Sequence, residues 1–506
     1  MAEGKIIDRY EIESVGVKTR VNIVDEDHTL YYKLVLPEVD VATSALLDDI
    51  KERLISSADI KTSEVLDSKT ITDLKKAFEE NAGTILGTEL PDLEDDVKNH
   101  FILSMVHELL GLEDIDFFLD DDKIEEIVIN SAKEPVRVYH KKHHWLATNV
   151  TPKSEMQIQN YSNTIARRIG REITTLNPLL DAHLMTKDRA NAILMPISTK
   201  GNTITIRKFA RDPWTVTDFI KNKTANSEVM ALIWLVMQYE MNMLLSGGTG
   251  SGKTSFLNIC MPFVLPNQRI ISIEDTRELQ LPQYLYWTPL TTRQPNPEGK
   301  GEVSMLDLLV NSLRMRPDRI IMGEVRKKRE AEVLFEAMHT GHSVYATLHA
   351  DTCEQTIARL TNPPVDIPHS MLDSVHLNVV MFRDRRRGIR RTFEVGEFVP
   401  DETAAKRGDF KFRPNVIYKW NARSDTVALT KVNAQLYERI GVHTGFTEQE
   451  VLDEIQQKKK ILESLVEHNI RSIDDVGRVM NRYYVDTDYV VDLFNKGKDP
   501  KKLLEI

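Results

Sequence analysis

Short apolar runs alternate with amphipathic stretches between residues 222 and 400 of the chain. Four of these runs have the length of buried strands, at residues 241–246, 269–274, 319–323 and 343–348. The segments between them show the spacing of apolar positions that is typical of helices. Strands that alternate with helices predict an α/β core, a parallel sheet covered by helices on both faces. In such a sheet, ligands bind at the carboxyl ends of the strands.

These patterns divide the chain into four parts. A small, variable, acidic N-terminal module precedes an α+β domain, which is followed by the parallel-sheet core and a mainly helical extension. Their predicted bounds are 1–95, 96–221, 222–400 and 401–506. Ser227 has the residue type of a helix N-cap, so we expect it to begin the helix that enters the core.

A glycine-rich loop follows the first strand of the core and matches the phosphate-binding pattern G-x-x-x-x-G-K-[ST]. The candidate nucleotide-binding residues are Gly247, Gly248, Thr249, Gly250, Ser251, Gly252, Lys253, Thr254 and Ser255. Glycines let backbone N–H groups surround one anion, and the next helix directs its positive end at the same phosphates. Lys253 is suited to the β- and γ-phosphates, and the Thr254 hydroxyl to Mg²⁺. The loop therefore predicts ATP and Mg²⁺ as ligands.

Carboxylates follow two further strands of the predicted sheet. Glu274 ends the strand at 269–274, and Glu278 lies four residues beyond it. Glu324 follows Gly323, which occupies the place of the usual Asp of a Walker B strand. Acids at these strand ends can hold Mg²⁺ or orient an attacking water. Glu324 is therefore the candidate water-activating base or Mg²⁺ ligand.

Two histidines bracket the strand at 343–348. His342 precedes this strand and His349 follows it. A histidine near a γ-phosphate can donate a hydrogen bond and so sense the phosphate. The alternative is that both are ordinary core histidines. Their position at the strand ends favours a functional role.

Three arginines outside the core are candidates for the phosphoryl-transfer site. They are Arg189, Arg207 and Arg211. A guanidinium directed at a transferring phosphoryl group stabilises its developing charge, an effect on the order of a thousandfold or more in rate. One chain need not fold these arginines onto its own loop, so we expect them to be supplied by a neighbouring chain.

The composition of the chain limits which partners and which cellular setting we expect. The formal net charge is −11, which argues against nucleic acid as the main partner, because phosphate backbones bind basic surfaces. The two cysteines, Cys260 and Cys353, form no C-x-x-C pair and indicate a reducing cytoplasm. The longest apolar run, 229–237, is too short to span a bilayer. Any membrane role is therefore expected to use a partner or a surface.

The motifs together resemble one family. The phosphate loop, Ile273-Glu274-Asp275, Gly323-Glu324-Val325-Arg326, Thr340-Gly341-His342 and Thr347-Leu348-His349 look like the type II/IV secretion ATPase superfamily, over roughly residues 97–400. Residues 136–149 and 205–209 look most like its archaeal branch, which serves the archaellum and archaeal type IV pili. The resemblance implies a RecA-like P-loop ATPase core preceded by an N-terminal domain.

The resemblance also implies assembly and roles. It implies a cytoplasmic homohexamer at the inner face of a membrane, which acts on a polytopic platform protein and, through it, on filament or pilin subunits. Glu324 would activate water, with Glu274 and Glu278 assisting. His342 and His349 fall in the histidine motif. Arg207 and Arg211 are the best arginine-finger candidates, while Arg189 matches the family pattern only loosely.

Three other clusters have simpler interpretations. His140, His143 and His144 suggest a metal site, but the stretch also has the pattern of a hairpin turn, which we favour. The basic run 383–391 suggests acidic lipid or nucleic acid binding, but a solvated hairpin tip that turns at Gly388 is the favoured interpretation. Asp120-Asp121-Asp122 lacks the glycine and distal glutamate of a calcium loop, so we interpret it as a helix start.

Two rival functions remain open at this point. A nucleic-acid translocase or a conjugation-type DNA-transfer ATPase could use a similar core, although the acidic charge and the lack of a basic-aromatic stripe count against nucleic-acid binding. A nucleotide-gated scaffold that scarcely hydrolyses ATP is the other rival, and both carboxylate clusters argue against it.

Overall fold

The computed structural model describes residues 4–14, 17–35, 41–57, 68–91, 93–184, 186–209, 212–295, 299–406, 410–430 and 434–504. The chain folds as two compact units, Met1–Arg211 and Asp212–Ile506. The finer division into four parts stays a prediction.

The first unit combines a sheet with helices. Its strands are β1 (Lys5–Ser14), β2 (Val17–Glu26), β3 (Thr29–Val35), β4 (Ile124–Ile129), β5 (Arg137–His140), β6 (His144–Thr148), β7 (Leu179–His183), β8 (Arg189–Ile193) and β9 (Thr203–Arg207). Its helices are α1 (Val41–Ser57), α2 (Ser68–Glu89), α3 (Asp95–Leu110), α4 (Ile115–Asp120) and α5 (Glu155–Arg168).

All nine strands form one sheet in the order β1-β2-β3-β6-β5-β4-β9-β8-β7. Strands from both sides of residue 95 belong to it, because β3 pairs in parallel with β6 at Tyr31 and Ala147. Alternation along the strands places Ile127, Val138 and Ile206 in one buried cluster that α5 also joins. Alternation of this kind gives a sheet one apolar face to cover with helices.

One local prediction in this unit is wrong. Asp120 ends α4 instead of beginning a helix. Asp121 is buried, and its carboxylate accepts hydrogen bonds from the hydroxyls of Tyr10 (2.7 Å) and Tyr32 (2.9 Å). The acidic run therefore connects α4 to β4, where its middle residue satisfies two tyrosines. The histidine-rich stretch forms the predicted hairpin, with His140 opposite His144.

The second unit contains the core. Its strands are β10 (Met243–Gly247), β11 (Arg269–Glu274), β12 (Tyr286–Thr291), β13 (Arg319–Met322), β14 (Ser343–Leu348), β15 (Leu377–Asp384), β16 (Ile389–Pro400), β17 (Phe412–Asn421) and β18 (Thr426–Leu429). Its helices are α6 (Val216–Lys221), α7 (Ser227–Gln238), α8 (Lys253–Cys260), α9 (Met305–Ser312), α10 (Lys328–His339), α11 (Cys353–Thr361), α12 (Glu402–Ala405), α13 (Gln435–Thr444), α14 (Glu448–Glu467), α15 (Ile473–Val485) and α16 (Thr487–Asn495). Short 3-10 turns lie at Met261–Phe263, Leu313–Met315, His369–Ser374 and Pro500–Leu503.

The sheet of this unit has the order β12-β11-β13-β14-β10-β15-β16-β17-β18. The first six strands run parallel, which confirms the predicted α/β fold. Successive residues of β10 enter different cores, since Leu244 packs in one cluster and Leu245 in another. Strands covered on both faces need continuous apolar runs, and this requirement made them visible in the sequence.

The segment beyond residue 400 is only partly helical. β17 and β18 lie there and extend the sheet by antiparallel pairing with β16 and with each other. These two strands are the part of the segment that the expectation of a mainly helical extension did not include. Helices α13 to α16 follow, and α14 packs against α7.

One further detail differs from expectation. Asn226, not Ser227, caps α7, because its side chain accepts from the N–H of Val229 at 2.8 Å. The apolar strand β13 begins with Arg319, which is fully buried. Its guanidinium donates to the carbonyl of Met237 (2.6 Å) and to Gln268 (2.7 Å), so burial leaves its donors satisfied.

Among the described residues, no helix combines the length and apolar character that crossing a bilayer requires.

Candidate active site

The phosphate loop joins the carboxyl end of β10 to the start of α8. Gly247, Gly250 and Gly252 have φ of 147°, 71° and 95°, values that favour glycine. A Cβ on Gly247 would lie 2.5 Å from the carbonyl oxygen of Met381, so no side chain fits there. The backbone therefore holds the curled form that directs N–H groups at one anion.

Lys253 is the first residue of α8 and lies almost wholly buried in the loop. Its ammonium donates to the carbonyls of Gly247 (2.8 Å) and Gly248 (3.0 Å). Burial lowers the pKa of Lys253, and the nearby carboxylate of Glu324 is the first of the charges that oppose this shift. The cation thus lies against two carbonyls of the loop that is expected to bind phosphates.

His349 connects the loop to the carboxylate of Glu324. Its Nε2 lies 3.1 Å from Glu324 Oε1, and its Nδ1 lies 3.4 Å from Lys253 Nζ. An ammonium only donates, so Nδ1 must accept in this contact. The neutral ring then carries its proton on Nε2 and donates to Glu324.

Arg326 joins the two carboxylate clusters, a role that the sequence did not suggest. It donates to Glu324 Oε2 at 2.6 Å and to Asp275 Oδ2 at 2.7 Å. The hydrogen bond with Glu324 is the main cause that raises the pKa of Arg326. The only sequence signal was its place two residues after Glu324.

The residues on either side of Glu324 are hydrogen-bonded to Thr347 of the neighbouring strand. The Thr347 hydroxyl donates to the Gly323 carbonyl at 2.5 Å, and the Val325 N–H donates to the Thr347 carbonyl at 3.0 Å. A Cβ on Gly323 would lie 3.4 Å from Glu274 Cα. A Cβ at this position would make an ordinary van der Waals contact with Glu274, so space alone does not require a glycine here.

Glu274 is buried at the end of β11. Its Oε1 accepts from the N–H groups of Glu278 (2.9 Å) and Leu279 (3.1 Å), while Oε2 is buried without a hydrogen-bond partner. Burial raises the pKa of Glu274 to about 7. A buried carboxylate oxygen without a partner is the kind of group that a metal-bound or attacking water satisfies.

The raised pKa of Glu274 predicts a pH-dependent stability. Between its ordinary value of 4.5 and about 7, the folded chain holds a proton that the unfolded chain releases. This contribution to stability is complete below pH 4.5 and is lost as the pH rises to 7, about 3 kcal/mol in all. Glutamine cannot ionise. The stability of Glu274→Gln relative to wild type, measured by thermal and urea unfolding, should therefore rise between about pH 5 and pH 8. The same difference in stability between variant and wild type at both pH values would contradict a buried, proton-binding carboxyl group. Glu354→Gln, on the exposed side of α11, is the control.

The other predicted residues lie in different places. His342 precedes β14, whose carboxyl end carries His349, so six strand residues, roughly 20 Å, separate the two histidines. The structure therefore does not bring His342 to this loop. Glu278 supplies its backbone N–H to Glu274. Arg189 and Arg207 lie opposite each other on β8 and β9 of the first unit, where Arg189 pairs with Asp181 at 2.7 Å. Arg211 lies outside the described residues.

The residues at this edge fit ATP and Mg²⁺. The glycine φ values, Lys253 and the start of α8 suit phosphates, and Thr254, Glu324 and the free oxygen of Glu274 are the oxygen ligands and water acceptors that Mg²⁺ needs. Mg²⁺ would neutralise charge on the phosphates during transfer. The roles of these residues stay predictions.

The basic hairpin also reaches the loop. Arg390 Nε donates to the carbonyl of Gly250 at 3.1 Å, and Arg383 lies against the same glycine. The interpretation of residues 383–391 as a solvated tip is therefore wrong for these two arginines. The turn at Gly388, with φ of 67°, is where the sequence places it.

A six-stranded parallel sheet that carries this loop and these acids defines a RecA-like P-loop protein. Comparison with known proteins supports this assignment. The family described as Type II/IV secretion system protein matches residues 179–386. The chain is 33% identical to uncharacterized protein MJ0900 of Methanocaldococcus jannaschii over 76% of this chain and 70% of that protein.

A second relative is described as a component of a secretion system. The type IV secretion system protein PtlH of Bordetella pertussis is 30% identical over 44% of this chain and 75% of its own length. The crystal structure of the VirB11 ATPase from the Brucella suis type IV secretion system has 25% identity, covers 56% of this chain and 93% of that one, and has a TM-score of 0.30. The chain belongs to the type II/IV secretion system protein family, as the motifs predicted.

Proposed function

We propose that this chain is an ATP hydrolase that powers a type IV filament or secretion machine of the archaeal branch. One observation carries the proposal. Lys253, His349, Glu324, Arg326 and Asp275 form a continuous chain of contacts from the phosphate loop to the acids at the ends of β11 and β13. A loop that only binds nucleotide needs no such connection to carboxylates.

The proposed chemistry assigns one task to each group. The loop and Lys253 hold the β- and γ-phosphates, which lowers the entropy cost of reaction. Glu324 accepts a proton from the attacking water, and His349 keeps its carboxylate in place through the 3.1 Å contact. The buried oxygen of Glu274 orients a second hydrogen of the same water.

The remaining charge stabilisation is proposed to come from arginines. Arg207 and Arg211 are the candidates, supplied by a neighbouring chain of a homohexamer, with Arg189 a weaker third. Hydrolysis would then move the N-terminal domain and so act on a polytopic platform protein at the cytoplasmic face of a membrane. The named secretion system of PtlH and the relative from Methanocaldococcus jannaschii support this placement.

Turnover with and without nucleic acid tests the proposal against the translocase alternative. We expect the purified full-length chain to release phosphate from ATP with Mg²⁺, and we expect added DNA to change the rate less than about twofold, because the chain is acidic. Strong stimulation by DNA that declines steeply with salt would favour the translocase. A chain that binds ATP but releases no phosphate would favour the scaffold.

A further inference from the structure

Two arginines of the β15–β16 hairpin lie directly on the phosphate loop. Arg383 on β15 and Arg390 on β16 face each other in the antiparallel register. The Arg383 guanidinium lies 2.6 Å from where a Cβ on Gly250 would stand. Arg390 donates to the Gly250 carbonyl at 3.1 Å, and its Cδ lies 3.4 Å from a Cβ built on Gly252. The loop glycines therefore make room for two cations as well as for a phosphate.

Other arginines of the hairpin have different surroundings. Arg391, next to Arg390 on β16, is buried and makes a two-point contact with Asp425, at 2.7 and 2.8 Å, which fixes this part of the hairpin to the turn between β17 and β18. Arg386 at the tip is exposed. Arg383 and Arg390 are half-buried and are the pair that touches the loop. Because Arg391 anchors the strand directly beside Arg390, the fold itself sets the position of this pair over the loop.

The sheet order tells which part of a nucleotide these two arginines would meet. β10 lies between β14 and β15. The carboxylates of Glu324 and Glu274 lie on the β14 side, where the bond to be hydrolysed must be. The hairpin lies on the opposite side of the loop. A nucleotide whose γ-phosphate points towards Glu324 therefore has its remaining phosphates nearer to Arg383 and Arg390.

We propose that Arg383 and Arg390 bind the phosphates that ATP and ADP share, so that they fix the nucleotide without acting on the transferred γ-phosphoryl group. This inference rests on the proposed function, because it concerns the same site. The two charges offer several N–H donors in fixed planes, which suits phosphate oxygens better than an ammonium does. Their place in the same chain as the loop separates them from Arg207 and Arg211, which are proposed to act from a neighbour.

The two kinds of arginine have different kinetic signatures. An arginine on the shared phosphates contacts substrate and product equally, so its loss raises Kd for ATP and ADP together and raises KM with little change in kcat. An arginine that stabilises only the transferring group lowers kcat and leaves ADP affinity unchanged. For Arg383→Ala and for Arg390→Ala we expect ADP affinity to fall roughly tenfold each, with kcat within about threefold of wild type.

Calorimetric titration of the full-length chain with ADP, beside steady-state ATP hydrolysis, tests the inference. Arg386→Ala is the matched control and should bind ADP like wild type. Arg383→Lys and Arg390→Lys keep the charge and the packing stem, so they should retain part of the affinity and they replace the alanine variants if those fail to fold. Wild-type ADP affinity in folded variants at both positions, alanine or lysine, would overturn the inference.

Different results would contradict the proposed ATP hydrolysis and the proposed role of Arg383 and Arg390. If wild type binds neither ATP nor ADP, the proposed function fails and this inference fails with it. If wild type binds and hydrolyses ATP while the arginine variants keep full ADP affinity, only the inference fails. A drop in kcat without loss of ADP affinity would reassign Arg383 or Arg390 to the transferred phosphoryl group and would also overturn it.

Discussion

Glu324→Gln should reduce the rate of ATP hydrolysis by about 10²- to 10⁴-fold while ATP affinity stays near the wild-type value. The carboxylate is the candidate base, and an amide of the same shape cannot accept a proton from water. Its carbonyl oxygen can still accept from Arg326, but its NH₂ group only donates and so loses the hydrogen bond from His349 Nε2. The packing around residue 324 should therefore change little, while the site loses its base.

The measurement for this variant pairs phosphate release with equilibrium binding of ATP. Glu354→Gln is a matched control, because Glu354 is exposed on α11 in the same unit. We expect the control to behave like wild type in both assays. Unchanged turnover in Glu324→Gln would show that Glu324 is not the base and would leave Glu274 as the candidate.

Lys253→Ala should have the other large effect, a loss of nucleotide binding itself. The ammonium is the one side-chain cation within the loop sequence, and hydrogen bonds to charged groups contribute about 1.5–3 kcal/mol each. Affinity for ATP is therefore expected to fall roughly 10- to 100-fold. Loss of the contacts to Gly247 and Gly248 would also loosen the loop, which adds to the effect.

Titration with ATP and with ADP measures the loss in Lys253→Ala. Lys498→Ala, at an exposed position far along the same unit, controls for the loss of one positive charge. Because Lys253 is suited to both the β- and γ-phosphates, ATP should lose more affinity than ADP. Equal affinities of variant and wild type would mean that the loop does not hold phosphate through this lysine.

The parallel core could be predicted from the sequence because its strands are buried on both faces. Continuous apolar runs such as 269–274 and 343–348 are typical of strands in this setting, and the structure has strands with the same bounds. Motifs that follow such strands must then meet at one edge of the sheet. For this reason the sequence sufficed to group the loop, Glu274, Glu324 and His349 in one site.

The position of His342 was also readable, although the prediction ignored it. A residue before a parallel strand lies at the edge opposite to a residue after it, so His342 and His349 cannot flank one ligand in a single chain. The sequence motif grouped them, and the strand between them separates them.

Other features depend on pairings that local patterns do not reveal. The parallel contact of Tyr31 with Ala147 joins strands more than a hundred residues apart. Arg383 and Arg390 reach the loop only because β15 and β16 pair antiparallel beside β10, and nothing in a basic hairpin specifies its neighbour. The bridge from Arg326 to Asp275 likewise needs β11 and β13 side by side.

Phosphate release from ATP by the purified full-length wild-type chain with Mg²⁺, measured beside Glu324→Gln, tests the central claim most directly. The claim is that the edge formed by β10, β11, β13 and β14 hydrolyses ATP. It predicts steady release of phosphate by wild type and its near-complete loss in the variant, with ATP binding retained in both. Absence of release from a wild-type chain that binds ATP, or equal release from both chains, would contradict it.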